Sequence, residues 1–297
     1  RALSVALATP NFKVQVSEPS PSSAAVSYGW IEVMNEITGE WIGGSNTNNS
    51  GFSAISLPAS ATYTVTVNPP WDGGATYSKN TYTVVVDSSD NVTSVQDRAG
   101  NPVNPDGGTG IFGLSLATPS VSGVVKDSSS NAVRDAWVTP IEQNGWEYLW
   151  WMGANSRSGG AFSMNLDDGI FLLEANPSWN NSAGDTKSKR CSVEIVSGTL
   201  NAGYSGTDKC TITDSKVQLA LRAPNVSFTL KAPDSTGVAY ANVGMFIGDW
   251  SVWSQSNRYG EVSLNLDADE IKERSGVTTA GTHDIRIVVD PPYGNSD

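Results

Sequence analysis

Between residues 121 and 179, apolar and polar residues alternate with period two in short runs, and each run is bounded by Gly, Asn, Asp, Ser or Pro. Such runs read as half-buried strands joined by tight turns. The stretch opens with Val121-Ser122-Gly123-Val124-Val125 and passes through Ala136-Trp137-Val138. It continues through Gly160-Ala161-Phe162 and Gly169-Ile170-Phe171-Leu172, and it closes on Asn176-Pro177-Ser178-Trp179. A version of it precedes it and another follows it. A chain written this way is a tandem array, which constrains the fold more than any single residue does.

Short punctuating motifs set the repeat boundaries. Leu-Ser-Leu-Ala-Thr-Pro at 114–119 and Leu-Ala-Leu-Arg-Ala-Pro at 219–224 each end one repeat and begin the next. The expected domains are therefore residues 9–117, 118–222 and 223–297, the last lacking its closing strands. Residues 3–10, Leu-Ser-Val-Ala-Leu-Ala-Thr-Pro, carry the same motif. Residues 1–8 are thus expected to be the closing strand of a preceding or neighbouring repeat, with Leu3, Val5 and Leu7 as its apolar face. With no initiator Met before Arg1-Ala2-Leu3, the expectation is of a processed product or a piece of something longer.

The first repeat is expected to have strands at 12–16, 29–33, 40–42, 51–57, 63–67, 81–86 and 111–116, with an irregular polar connection at 97–110. In the second, further strands are expected at 191–196, 210–213 and 216–221. In the third they fall at 225–230, 241–247, 250–253, 260–266 and 284–289. Helical composition with a capping residue appears only at 267–274, where one or two turns are expected. The fold class is all-β, an array of about three small sandwiches arranged as beads on a string.

Composition narrows the partners. Hydrophobic residues make up 38% and charged residues 16%, with a net charge of −12. No basic stripe is present, which argues against nucleic acid and anionic membranes. No apolar run approaches the roughly 20 residues of a membrane-spanning helix. The two cysteines, Cys191 and Cys210, have no partner histidine near them, and a metal site needs more ligands. If their segments are hairpin-related strands, a disulfide fits and stabilises by about 3 kcal/mol; two free buried thiols are the alternative. The disulfide would imply an oxidising location.

Gly123-Val124-Val125, Ala132-Val133 with Ala136-Trp137-Val138, Gly159-Gly160 before Phe162, and Gly169-Ile170-Phe171-Leu172 resemble a carboxypeptidase regulatory-like domain. This transthyretin-like sandwich also resembles the B-type repeats of Gram-positive collagen adhesins. The third repeat keeps the pattern at 237–243 and at Gly260-Glu261-Val262, and the first at Gly51-Phe52 and Ala61-Thr62-Tyr63. The resemblance covers roughly the first sixty residues of each repeat. It implies a stalk, spacer or surface-array module of bacterial exported proteins, without catalysis or cofactor. Some relatives carry a Lys–Asn isopeptide bond. Lys13 lies in a first strand with Glu32 as the candidate assisting acid, but Lys13 has no counterpart in the second repeat's first strand and no Asn stands at 111–116.

Ten tryptophans stand in 297 residues, and the densest cluster is Trp146, Trp150 and Trp151 with Tyr148. Trp150 and Trp151, read as adjacent strand residues, would face opposite sides, leaving one exposed. Such an aromatic suits a subunit contact foremost, with a sugar platform or ordinary packing as the other readings. Trp71 and Trp179 recur in register and read as packing under a Pro turn. Asp167-Asp168 and the acids of 267–270 read as turn chemistry, not as a converging glycosidase pair. His283 is the only histidine and has no nucleophile motif beside it. Asn104-Pro105-Asp106-Gly107-Gly108 lacks the full ligand set of a calcium loop and reads as a turn. The leading expectation is a structural segment of an extracellular filament, surface layer or adhesin stalk that self-associates. The alternative is a secreted polysaccharide-binding module, and the third reading is an accessory region flanking an exported enzyme.

Overall fold

The computed structural model describes residues 9–71, 76–143, 147–178, 184–248, 250–266, 271 and 284–291. Its named elements are β-strands and two single 3-10 turns, so the chain is all-β. Two compact units divide it: 1–122 with 161–169 and 194–202, and 123–160 with 170–193 and 203–297.

In the first unit, β1 (Phe12–Ser17) lies between β4 (Phe52–Ile55) and β8 (Phe112–Ser115), antiparallel to the former and parallel to the latter. The second sheet runs β3 (Trp41–Asn46), β2 (Trp30–Asn35), β5 (Ala61–Asn68), β6 (Asn80–Val86), β7 (Val92–Asp97), all antiparallel. Alternation decides which face is buried. Phe12, Val14 and Val16 of β1 meet Ile31 and Val33 of β2, Tyr63, Val65 and Val67 of β5, and Val84 of β6 in one core. Burying each such side chain contributes about 1.5–3 kcal/mol. The core tyrosines keep their hydroxyls bonded, Tyr63 donating to Pro58 O at 2.7 Å and Tyr82 to Ser115 O at 2.9 Å. The unit also holds β12 (Ala161–Met164) and β15 (Thr199–Leu200).

In the second unit, β10 (Trp137–Glu142) lies between β11 (Ala154–Asn155) and β13 (Gly169–Asn176), with β14 (Cys191–Val196) next to β13. β9 (Val121–Lys126) runs parallel to β17 (Lys216–Ala220), which pairs with β16 (Thr211–Thr213). Further along, β18 (Val226–Thr229) pairs with β21 (Glu261–Leu264), and β19 (Asn242–Ile247) lies between β20 (Trp250–Gln255) and β22 (Arg286–Asp290). Val243, Met245, Ile247, Val252, Val262 and Leu264 of these last strands form one buried cluster, with Ile271 packed against it. The helix expected at 267–274 otherwise lies outside the described residues.

β7, β11 and β15 are strands that periodicity does not reveal, two of them being only two residues long. The 97–110 connection is more ordered than expected. Asp97 accepts from the backbone of Ala99 and Asn101, and Asp106 from Gly108 N at 3.3 Å and Thr109 Oγ1 at 3.1 Å, fixing two successive turns.

One corner occurs three times with the same geometry. Tyr28, Asp135 and Tyr240 adopt left-handed φ of 59°, 63° and 59° just before β2, β10 and β19. Beside them stand the buried hydroxyls of Thr47, Ser156 and Ser256. Each accepts at 2.9 Å from the backbone N–H of Gly29, Ala136 or Ala241, and each donates to the carbonyl of Val26, Val133 or Val238 at 2.6–2.7 Å. Gly51, Gly160 and Gly260 complete the corner with φ of 78°, 71° and 80°. A Cβ there would overlap the carbonyl of Val16, Val125 or Leu230. The glycines of the sequence motif are thus positions where two backbones touch.

Candidate functional site

Trp150 and Trp151 do not lie on a strand. They open a 3-10 turn, Trp150–Met152, which places both indoles outward, 53% and 63% exposed, where strand geometry had implied one. Trp150 stacks on Tyr148, ring centroids 4.9 Å apart and planes 7° from parallel. Arg190 lies over the Tyr148 ring at 5.2 Å and also binds its hydroxyl. The guanidinium Nε donates to the buried Glu174 carboxylate at 2.8 Å, and Lys187 Nζ reaches the same carboxylate at 3.4 Å. Two cations on one buried acid hold the arginine still, and the arginine holds the aromatic shelf. Trp146 lies outside the described residues, as do Leu3, Val5, Leu7, Trp179 and His283.

Other indoles lie on bare backbone. Trp137 covers Gly153, where a Cβ would stand 2.6 Å from its ring, and Trp30 covers Gly44 in the same way. Trp253 covers Gly244 with the strands exchanged, the glycine now on β19 and the tryptophan on β20. Trp71 is 60% exposed and so is not tucked beneath a proline turn.

Cys191 and Cys210 are disulfide-bonded, with Cα atoms 4.7 Å apart. They are not hairpin partners, because β14 and β16 belong to different sheets. Ser192 N donates to Asp208 O at 2.8 Å and Cys210 N to Ser192 O at 2.9 Å, so the two segments meet through a short parallel bridge.

Of the acids singled out in the sequence, those of 267–270 lie outside the described residues, and Asp167 and Asp168 have structural partners. Asp167 pairs with Arg98, and Asp168 accepts from the backbone N–H groups of Ser197 and Gly198 at 2.9 and 2.8 Å. Lys13 lies on the exposed face of β1, away from the core an isopeptide bond would cross. The lysine that senses Glu32 is Lys79: burial lowers its ammonium pKa to about 8 against the opposing pull of Glu32. No group of three or more His, Cys, Asp or Glu with metal-holding geometry occurs among the described residues. No helix among them is long and apolar enough to cross a membrane.

The chain matches no protein-family model and no curated protein. Among solved structures it is similar to the Bacillus anthracis TIE protein, with 15% identity over 95% of this chain and 49% of that one, and a TM-score of 0.23. It is also similar to a C-terminal fragment of the pilus adhesin SpaC from Lactobacillus rhamnosus GG, with 14% identity over 71% of this chain and 96% of the fragment, TM-score 0.23. The shaft pilin SpaA of the same organism gives 10% identity over 72% and 98%, TM-score 0.24. Likenesses of this size assign neither a family nor a function.

Proposed function

We propose that the chain is a structural segment of an extracellular bacterial assembly, a filament, surface layer or adhesin stalk, built from sandwich domains at 9–117, 118–222 and 223–297. The observation that carries this reading is the threefold corner, in which an αL residue, a buried hydroxyl and a touching glycine recur with the same bonds. Serial repetition of one sandwich gives reach and a repeated surface. The domain type on this reading is the carboxypeptidase regulatory-like or adhesin B-type sandwich.

Assembly by strand supply is part of the proposal. β1 and β9 each have a parallel neighbour, β8 and β17. Among the described residues β18 has only β21 beside it. A strand with the alternating apolar pattern of Phe112, Leu114 and Leu116 or of Val217, Leu219 and Leu221 suits that edge, and Leu3, Val5 and Leu7 carry a related pattern. Supplied from one copy to the next, it makes a head-to-tail contact that leaves the series open. Sedimentation velocity with electron microscopy of the intact chain and of a variant lacking residues 1–8 is the test. Linear assemblies that grow with concentration and shrink on deletion are expected. A monomer at every concentration overturns the structural reading, whereas deletion-insensitive assemblies overturn only the strand version.

A second reading rests on the Trp150–Tyr148 stack with Trp151 beside it, which offers a flat apolar surface to a polysaccharide. Replacing Trp150 and Trp151 with Ala should then abolish glycan retention without changing assembly. Loss of assembly with glycan retention intact would make the pair a subunit contact instead.

A further inference from the structure

The second unit contains a cleft of about 410 Å³, open on one side, whose floor is the outward face of β20. That volume lies within the ordinary range of small-ligand sites. Trp253 and Gln255, two residues apart, point into it from one strand face, and Tyr240 of the third corner stands beside them. Asn176, Lys187 and Glu261 are among the residues of the surrounding wall.

Three features give this cleft the form of a built site. The first is a fixed aromatic floor: Trp253 rests on Gly244, where a Cβ would come 2.9 Å from the indole, and Phe246 meets it edge-on at 5.6 Å. Half of the indole surface stays exposed, as does half of Tyr240. Second, Tyr240 is anchored through its backbone, its N–H bound to Ser256 O at 3.1 Å and its carbonyl accepting from Gln255 Nε2 at 3.3 Å. The indole does not have to be ordered when a ligand arrives, so little conformational entropy is lost there on binding. Third, the charged groups in the wall are engaged within the protein: Lys187 pairs with Glu174 at 3.4 Å, Asp185 accepts from Ser128 N at 2.9 Å and Ser128 Oγ at 2.7 Å, and Glu261 accepts from Asn257 Nδ2 at 2.7 Å. What remains for a ligand is aromatic surface with amides and hydroxyls around it.

We infer that this cleft binds a neutral oligosaccharide, with one pyranose ring lying on Trp253 and its hydroxyls reaching Gln255 and Asn176. A pyranose presents a face of C–H groups and a rim of hydroxyls, which is the complement of a fixed indole bordered by amides. A polyanion would meet the carboxylates of Asp185 and Glu261, and an apolar peptide would cover the polar wall without returning its hydrogen bonds. The site is separate from the Trp150 shelf and does not depend on the structural reading above.

The test uses the full chain in titration calorimetry against neutral gluco-, manno- and N-acetylglucosamine trisaccharides. Trp253→Ala and the exposed-residue variant Gln255→Ala are compared with a Trp150→Ala, Trp151→Ala double variant, and folding is checked by thermal unfolding. The expected result is binding of at least one trisaccharide, weakened about tenfold or more by Trp253→Ala, equivalent to about 1.4 kcal/mol. Gln255→Ala should weaken it severalfold with an unchanged melting temperature, and the double variant should bind like the parent. If Trp253→Ala fails to fold, the Gln255→Ala result decides. No binding of any of the three at millimolar concentration, or binding lost only in the double variant, overturns the inference.

Discussion

At the scale of single residues, the corner makes the sharpest demands. Gly159 and Gly160 are neighbours with φ of 71° each, yet a Cβ on Gly159 meets nothing within 4 Å and one on Gly160 would strike Val125 O. Gly159→Ala should therefore cost about 1 kcal/mol from backbone conformation alone, and Gly160→Ala roughly 3 kcal/mol or more, because two backbones must separate. Urea denaturation of the two variants checks the difference, and equal losses would mean the corner can open. Ser156→Ala should cost about 1–3 kcal/mol, since it strands the buried Ala136 N–H and Val133 carbonyl. The touching glycines were legible as motif positions; the hydroxyls were not, because one buried serine looks like any other in a serine-rich chain. Lys79 gives a pH signature. Its folded pKa of about 8 lies below the free value of 10.5, so the unfolded chain binds more protons between those limits and stability rises with pH there. Lys79→Met should be more stable at pH 7 by about 2 kcal/mol. It should also flatten the rise between pH 8 and 10.5. A parent profile that is already flat would contradict the burial of that ammonium.

At the scale of elements, alternation carried most of the strand assignment, because a half-buried strand must alternate. It failed where an element is too short to show a period, as in β11 and β15, and where glycines and polar residues fill a paired strand, as along Trp41–Asn46. The aromatic pair at Trp150 and Trp151 was misplaced for a related reason: a single 3-10 turn has no periodic signature, and its effect was to expose both rings. The two cysteines were legible as a pair, but their route was not, since hairpin pairing was assumed for strands that lie in different sheets. The bond closes a sequence separation of 19 residues. Reducing it should lower the stability of the surrounding sandwich by about 3 kcal/mol, read as a shift in the denaturation of the region carrying Trp137 while the region around Tyr63 is unaffected. The turn aspartates act at low pH. Hydrogen bonds hold the carboxyl pKa down, foremost from the Asn91 backbone for Asp87, from the side chains of Asn101 and Asn131 for Asp97 and Asp127, and from the Thr236 side chain for Asp234. Their contribution is present above the free value of 3.8 and is lost as pH falls below it.

At the scale of the whole molecule, the tandem pattern was the most legible feature, because each repeat must spend similar residues on the same corner. The cleft on β20 was the least legible, since Asn176 and Lys187 come from a distant stretch and only folding brings them to Trp253 and Gln255. If the chain is a series of sandwiches, each should bear tension and unfold as its own unit. Pulling the single molecule between its ends tests this most directly. Separate unfolding events are expected, those of 9–117 and 118–222 each releasing chain at about 3.5 Å per residue. The second event should be shorter by about 65 Å while the Cys191–Cys210 bond closes its loop, and should recover that length on reduction. One event releasing the entire chain, or a second event unchanged by reduction, would contradict the claim.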